Sequence, residues 1–378
     1  MERVRVGVIG AAGRAAITRH WVGDARVEIV GVADVNPQSI QWYRENIKSD
    51  IWSDADYRRL IERNDIDAIV VMSPDWLHEE HAVAALLAGK HVYVEKPMAI
   101  TVEGCDRMIQ TAKESRRLLM VGFNMRYMAI FQTMKFILDR GDIGDIKAVW
   151  VRHFVGRGGE YYFHDWHGQR KHTTSLLLQK GTHDFDMIHW LTGRYTSKVA
   201  AFGSLDYYGG EKPNDLTCPQ CAERERCWDV QPAWPGHELC AFRKEIDVED
   251  NQVVILELEG GIKASYLQCH FTPDYHRNYT IIGTEGRIEN SEPESKVWVI
   301  NRRTGTRKSL ADATYHVTSE EGHGNADQKI LNEFITAIIE GRDAPVDPWA
   351  GRMSVATGVL AANSLRNGGL VQQMQVHN

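Results

Sequence analysis

Val4-Arg5-Val6-Gly7-Val8-Ile9-Gly10-Ala11-Ala12-Gly13-Arg14-Ala15 decides the fold of the first part of the chain. The apolar run reads as a strand covered on both faces, a turn of small residues follows, and a helix begins behind it. A turn without bulk lets the backbone approach a pyrophosphate, whose charge then meets free N–H groups at the helix N-terminus. The pattern departs from G-x-G-x-x-G, with Ala12 and Ala15 at its second and third positions and Gly13 added, so Gly10, Ala12, Gly13 and Arg14 are the candidate phosphate-turn residues. Outward from it, residues 27–33 form a second strand, and Asp34 follows 24 residues after Gly10. A carboxylate there can accept hydrogen bonds from both hydroxyls of an adenosine ribose and would repel a 2′-phosphate. Val35-Asn36-Pro37 brings no arginine to bind such a phosphate, so NAD is expected rather than NADP.

Short Val- and Ile-rich runs at 68–72, 91–95 and 118–122 alternate with helical patterns at 79–88 and 101–115, the rhythm of βαβ units and a parallel sheet. After Asn124 the rhythm changes. Helices are expected at 128–139, 182–191, 328–340 and 352–365. Longer two-sided strands are expected at 146–154, 197–207, 253–258, 262–271, 279–283 and 297–301, with Gly260-Gly261 as a hairpin turn. The expected architecture is α/β, with a doubly wound Rossmann domain over 1–124. An α+β domain with a large, mostly antiparallel sheet follows over 125–378, interrupted by a cysteine-rich insertion near 211–247.

The whole chain has 378 residues, with 44 Lys+Arg against 51 Asp+Glu and a formal charge of −7. That mild acidity argues against a nucleic-acid platform, which shows an excess of basic residues on one face. No apolar run approaches the ~20 residues of a membrane helix. Met1-Glu2-Arg3 leads straight into the first strand, and six cysteines are too few for a disulfide scaffold, so a cytoplasmic location is expected.

A second decisive stretch is Ala88-Gly89-Lys90-His91-Val92-Tyr93-Val94-Glu95-Lys96-Pro97. Its Glu-Lys pair ends a buried strand, where open α/β sheets bind ligands. Ser73-Pro74-Asp75-Trp76-Leu77-His78 ends the preceding strand in the same crevice. Further on stand His183-Asp184-Phe185-Asp186, then His323-Gly324-Asn325-Ala326-Asp327 before a helix, and Ala361-Ala362-Asn363-Ser364-Leu365 near the end. In this order the stretches resemble the Gfo/Idh/MocA family of oxidoreductases, which includes glucose–fructose oxidoreductase and inositol dehydrogenases. The resemblance covers essentially the whole chain.

The resemblance implies that Lys96 contacts the reacting hydroxyl and helps orient the nicotinamide, that His183 is the general acid/base, and that Glu95 borders the nicotinamide ribose. An ammonium beside a growing alkoxide lowers the cost of deprotonation, and imidazole titrates near working pH. Ser73, Pro74, His78 and Asn124 complete the expected cofactor set. One position departs from the family: an Asp stands four residues before this histidine in inositol-dehydrogenase-like members, and here it is Gln179, followed by Lys180. A neutral amide can hydrogen-bond a hydroxyl but cannot act as a base, which shifts the proton chemistry onto His183 and Lys96. Homodimers or homotetramers are expected by the same resemblance.

The segment 156–172 is rich in aromatic, His and Arg residues, among them Tyr161, Tyr162, Trp166 and Arg170. Sugar rings present apolar C–H faces to aromatics and hydroxyls to polar groups, so Tyr162, Trp166, Arg170, Gln179, Lys180 and Arg126 are candidate substrate contacts. With Arg157 and Lys171 they hint at an anionic sugar. Cys218, Cys221, Cys227 and Cys240 form C-x2-C-x5-C-x12-C. Four thiolates suit a structural zinc, His237 can replace one sulfur, an iron–sulfur cluster fits the ligand count, and free reduced cysteines are the plain alternative. The expected function is NAD-dependent oxidation of a secondary hydroxyl of a small-molecule sugar, sugar derivative or cyclitol. Two alternatives are a glycosidase that oxidises its glycoside transiently with recycled NAD, and a non-catalytic NAD- or sugar-sensing regulator.

Overall fold

The computed structural model describes residues 3–157, 162–230, 238–302, 313–317 and 324–375. Tyr161, His237 and His323 lie outside them. Contacts divide the chain into two compact units, one of residues 1–128 with 320–355, the other of 129–319 with 356–378. Residues 320–355, read from the sequence as part of the second domain, thus join the first unit.

The first unit is built on six parallel strands, β1 (Val4–Ile9), β2 (Val27–Ala33), β3 (Trp52–Asp54), β4 (Ala68–Val71), β5 (His91–Val94) and β6 (Leu119–Val121), in the order β3-β2-β1-β4-β5-β6. The order reverses between β1 and β4, which opens a crevice at their carboxyl ends. Val4, Val6, Val8 and all four residues of β4 are fully buried, as strands covered on both faces require. Caps set the helix starts locally. Asn36 accepts from the Gln38 N–H at 3.0 Å ahead of Pro37, and Thr101 accepts from the Gly104 N–H at 3.0 Å. The helix expected after the turn is a 3-10 helix, Gly13–Trp21.

The second unit carries a nine-stranded sheet. Its strands are β7 (Ile146–Arg157), β8 (Thr196–Ser204), β9 (Asn251–Leu258), β10 (Lys263–Cys269), β11 (Phe271–Gly283), β12 (Gly286–Ser291), β13 (Lys296–Asn301), β14 (Ala313–His316) and β15 (Gln372–Gln373). They run in the order β14-β13-β12-β11-β7-β10-β9-β8-β15, all antiparallel except β10 beside β7. The expected turn at Gly260-Gly261 joins β9 to β10, both glycines having positive φ. One face of the sheet buries Val149, Val151, Ala264 and Tyr279, while the other leaves Trp150, Phe202, Ile255 and Ile282 between 43% and 64% exposed.

Candidate active site

In the first unit the phosphate-turn candidates sit at the switch point. Gly10 has φ +92°, and a Cβ there would lie 2.7 Å from the Met72 backbone, so only glycine fits this close approach of two strand ends. A Cβ at Gly13 would meet nothing within 4 Å, which leaves open space above the turn. Ala12 precedes the 3-10 helix and its carbonyl accepts from the Ala15 N–H at 3.1 Å. Asp34 stands beside this turn. Its Oδ2 accepts from the Ala11 N–H and its Oδ1 from the Asn36 N–H, both at 2.8 Å. A carboxylate has about four lone-pair sites, so the same group retains capacity for two ribose hydroxyls.

Ser73 and Pro74 follow β4. His78 is 1% exposed, with Nδ1 2.7 Å from the Pro97 carbonyl and Nε2 2.7 Å from the Ser73 carbonyl. Both ring nitrogens are therefore engaged, and His78 acts on the crevice by bracing the loops after β4 and β5. His81 adds a bond from Nδ1 to the Ser73 hydroxyl at 2.9 Å, and burial lowers its pKa to about 4.

Glu95 and Lys96 end β5, and the Lys96 N–H lies 3.2 Å from Glu95 Oε2. The Lys96-Pro97 peptide is cis. Arg14, expected from the sequence as a cofactor contact, bridges two carboxylates. It reaches Glu95 Oε1 at 3.0 and 3.1 Å and Asp327 at 2.9 and 3.2 Å. Asn124, 1% exposed, donates to Asp327 Oδ1 at 2.7 Å. Burial works against the Arg14 charge, but Glu95 and Asp327 outweigh it and push its pKa up. Arg14, Glu95 and Asn124 are thus one network held together by Asp327, a residue the motif reading quoted without assigning it a role. Arg126 rests its guanidinium 5.9 Å from the Phe123 ring centroid.

In the second unit His183 lies in the first turn of the helix Thr182–Thr192 and is 6% exposed. Gly181 precedes it, and a Cβ there would stand 2.5 Å from the Leu177 carbonyl oxygen, so the chain can turn this tightly only through glycine. Gln179 ends the preceding helix Leu176–Gln179 and is buried. The Lys180 ammonium lies 5.7 Å over the Tyr162 ring, which also packs edge-on against His167 and His270. Trp166 stacks on His167 at 3.6 Å between centroids, and Asp165 fixes His167 through its N–H at 2.8 Å and its Nδ1 at 2.6 Å. Tyr162, Trp166 and Lys180 therefore belong to one aromatic and cationic wall. Arg170 stands apart from it. Its guanidinium pairs with buried Glu249 at 2.8 Å, a carboxylate that Arg366 also holds at 3.0 Å. Of the further cationic candidates, Arg157 closes β7 and Lys171 is exposed in the short helix Arg170–Thr173.

A buried polar network of this unit went unread in the sequence. Asp184, the neighbour of His183, is fully buried and accepts from Arg277 Nε at 2.9 Å and Nη2 at 2.8 Å. It also meets the Tyr266 hydroxyl at 2.8 Å, His153 Nδ1 at 3.0 Å and the Tyr279 hydroxyl. Burial alone would raise the Asp184 pKa, yet Arg277 and His153 hold it well below the usual carboxylate range. Burial, reinforced by Arg277, lowers His153 to about 3. The network continues from Tyr266 to Gln268 Oε1 at 2.5 Å and from Gln268 Nε2 to His270 Nε2 at 2.8 Å. It fixes the first helical turn that carries His183. A signal was present in the sequence: His153 on β7, Tyr266 and Gln268 on β10, and Arg277 and Tyr279 on β11 occupy inward positions at period two, where apolar residues normally stand.

The four cysteines of the insertion line a common cavity, but among the described residues no group of three or more His, Cys, Asp or Glu is arranged to hold a metal ion as it stands. The expectation of bound zinc thus has no ready-formed ligand set behind it. Also among the described residues, no helix is long and apolar enough to cross a membrane.

Comparison with known proteins places this geometry. Residues 4–123 match the model described as oxidoreductase family, NAD-binding Rossmann fold, and residues 135–373 match the oxidoreductase family C-terminal alpha/beta domain. The chain is 32% identical over 374 residues to inositol 2-dehydrogenase of Pseudomonas fluorescens Pf-5, covering 97% of this chain and 96% of that one. It is 34% identical over 191 residues to inositol 2-dehydrogenase/D-chiro-inositol 3-dehydrogenase of Halalkalibacterium halodurans, covering 50% and 52%. A solved structure of scyllo-inositol dehydrogenase from Lactobacillus casei, with bound NAD(H) and scyllo-inositol, superposes with a TM-score of 0.75 at 19% identity, covering 98% and 99% of the two chains. A levoglucosan dehydrogenase in complex with NADH and levoglucosan gives 0.79 at 20%, again over 98% and 99%. At these identities the superpositions establish the fold. Neither the glycoside-cleaving nor the non-catalytic alternative draws support from these relatives. The chain belongs to the Gfo/Idh/MocA family of oxidoreductases, with that family's NAD-binding Rossmann domain and its C-terminal alpha/beta domain.

Proposed function

We propose that this protein is an NAD-dependent dehydrogenase that oxidises a secondary hydroxyl of a cyclitol or sugar to the ketone. The observation that carries this reading is Lys96 at the carboxyl end of β5, in a chain related over nearly its full length to an inositol 2-dehydrogenase. The cofactor fits the residues present. Gly10 permits the close strand-to-turn approach, Gly13 leaves the turn open, and Asp34 offers a carboxylate for ribose hydroxyls. NAD, when bound, accepts hydride at the nicotinamide C4.

The chain's own groups then have distinct tasks. His183 takes the hydroxyl proton as the C–H bond delivers its hydride, and the Lys96 ammonium stabilises the charge growing on oxygen. Gln179 and Lys180 bind neighbouring hydroxyls, Gln179 as a neutral hydrogen-bonding partner. Tyr162 and Trp166 offer ring faces to the apolar side of the substrate. Ser73 and Pro74 shape the nicotinamide side of the crevice, with His78 bracing them. Arg14, Glu95 and Asn124 act in this reading as a support for Lys96 rather than as open cofactor ligands. The exposed Trp150, Phe202, Ile255 and Ile282 support self-association through the outer sheet face, which light scattering of the purified protein tests.

The function is tested by following NADH formation across a panel of inositols, aldoses, anhydrosugars and uronates. Lys96→Ala is expected to lower kcat by at least about 100-fold while NAD still binds, because the lost interaction belongs to the transition state. No NADH from any member of the panel, or unchanged turnover in Lys96→Ala, overturns the proposal.

A further inference from the structure

The segment between β8 and β9 has no task in the reaction proposed above, yet its backbone gathers four cysteines. Thr217 and Leu239 form an isolated antiparallel bridge. Beside it the Cys218 N–H donates to the Glu238 carbonyl and the Cys240 N–H to the Leu216 carbonyl, both at 2.8 Å, which sets Cys218 and Cys240 on adjoining backbones. Two short 3-10 turns, Cys218–Gln220 and Arg224–Arg226, each deliver the next cysteine. The Cys221 N–H closes on the Cys218 carbonyl at 3.2 Å, and the Cys227 N–H closes on the Arg224 carbonyl at 3.3 Å. All four side chains line one cavity of about 20 Å³, together with His164, Arg224 and Asp229. None of the four forms a disulfide.

We propose that Cys218, Cys221, Cys227 and Cys240 bind a single zinc ion as a structural clasp. Three observations favour this over four idle thiols. The C-x2-C spacing and the two turns that present its cysteines suit a tetrahedral ion, which takes four sulfurs at about 2.3 Å. The cavity has room for one atom-sized guest, close to the ~10–15 Å³ that a water-sized probe needs. The ends of the insertion pack on a small apolar cluster of Phe163, Leu176, Tyr208, Ala241, Ile246 and Val248, but the stretch holding the first three cysteines contributes none of it. A segment so poor in core is held by other means, and a bound metal is one of them. The thiols are not arranged around a metal position as they stand, so binding requires them to close on the ion. The step is ligand exchange without redox: four thiols lose four protons, one zinc ion loses its waters, and a dianionic tetrathiolate forms in the cavity that Arg224 also lines.

The clasp stands behind the wall of the proposed substrate site. His164 lines the cavity, with its Nδ1 3.7 Å from Cys218 Sγ, and belongs to the same short segment as Tyr162 and Trp166.

The test needs no substrate and is therefore independent of the dehydrogenase reading. Protein purified without chelator is analysed for metals and titrated with a thiol reagent in its folded state. One zinc per chain, with Cys218, Cys221, Cys227 and Cys240 protected until a chelator and denaturant are added, is the expected result. Replacement by cobalt(II) should give thiolate-to-cobalt charge-transfer absorption, and Cys221→Ser with Cys227→Ser should cut zinc content at least tenfold. Iron with inorganic sulfide, a Cys–Cys disulfide in the natively isolated protein, or four reactive thiols with neither zinc nor a cobalt signal each overturn the proposal. The metal content of the unaltered protein decides the matter even if the variants fail to fold.

Discussion

Asp184→Asn should destabilise the second unit more than any surface change. The carboxylate and Arg277 have side chains 0% and 5% exposed, and their two hydrogen bonds are 2.8 and 2.9 Å long. Asparagine keeps the shape but removes the charge, and its NH2 group turns a donor toward partners that all donate. Arg277 then loses the buried carboxylate that it pairs with in two hydrogen bonds. Breaking a buried pair from one side costs about 3–5 kcal/mol, whereas replacing both partners with apolar groups is often close to neutral. The folding equilibrium of the unit should therefore fall by roughly a hundred- to several-thousand-fold at pH 7. A urea titration followed by circular dichroism reads this directly. The double variant Asp184→Leu with Arg277→Met should recover part of the loss, not all, because Tyr266, Tyr279 and His153 still lose their shared acceptor. A single variant within about 1 kcal/mol of the parent would refute the idea that this carboxylate organises the unit.

Three further outcomes are expected. Gly10→Ala places a methyl group 2.7 Å from the Met72 backbone at φ +92°, so it should cost at least about 2 kcal/mol in stability and weaken NAD binding tenfold or more; a neutral melt together with unchanged NAD titration would contradict the close-approach argument. Asp34→Ser should narrow the preference for NAD over NADP by at least about tenfold in kcat/KM, and an unaltered preference would mean another group reads the ribose. Burial lowers His81 and His91 to about 4 and His153 to about 3, below the unfolded value of 6.5, and the Leu118 N–H donates to His91 Nδ1 at 3.0 Å, which requires that nitrogen unprotonated. Below about pH 6.5 the unfolded chain takes up these protons first, so stability should fall from pH 6.5 toward pH 4 by up to about 1.4 kcal/mol per pH unit for each histidine; equal urea midpoints at pH 7 and pH 5 would contradict this.

The fold was legible because its signals are local. The continuous apolar runs of β1 and β4, the glycine turn at Gly10, Asp34 after β2 and the Glu-Lys-Pro end of β5 all lie within a few residues of what they determine. What went unread depends on distance along the chain. Arg14 and Glu95 look like open cofactor contacts until Asp327, 313 residues beyond Arg14, closes on the arginine. Arg170 looks like a pocket cation until Glu249, 79 residues on, takes its guanidinium. Asp184 was visible inside the His183 motif, but its meaning rests on inward polar residues of three other strands, which no single window contains. The four cysteines are a mixed case. Their spacing suggested a metal site, and all four line one cavity, but among the described residues no group is arranged to hold a metal ion.

In the proposed reaction, hydride leaves a secondary carbinol carbon of a cyclitol or sugar and arrives on the nicotinamide. Incubating the enzyme and NAD with substrates deuterated on their ring carbons, then weighing the recovered NADH by mass spectrometry, tests it most directly. One deuterium on the nicotinamide ring, lost in Lys96→Ala and His183→Ala, is the predicted result. Substrate conversion without deuterium reaching NADH, or transfer undiminished in both variants, would contradict it.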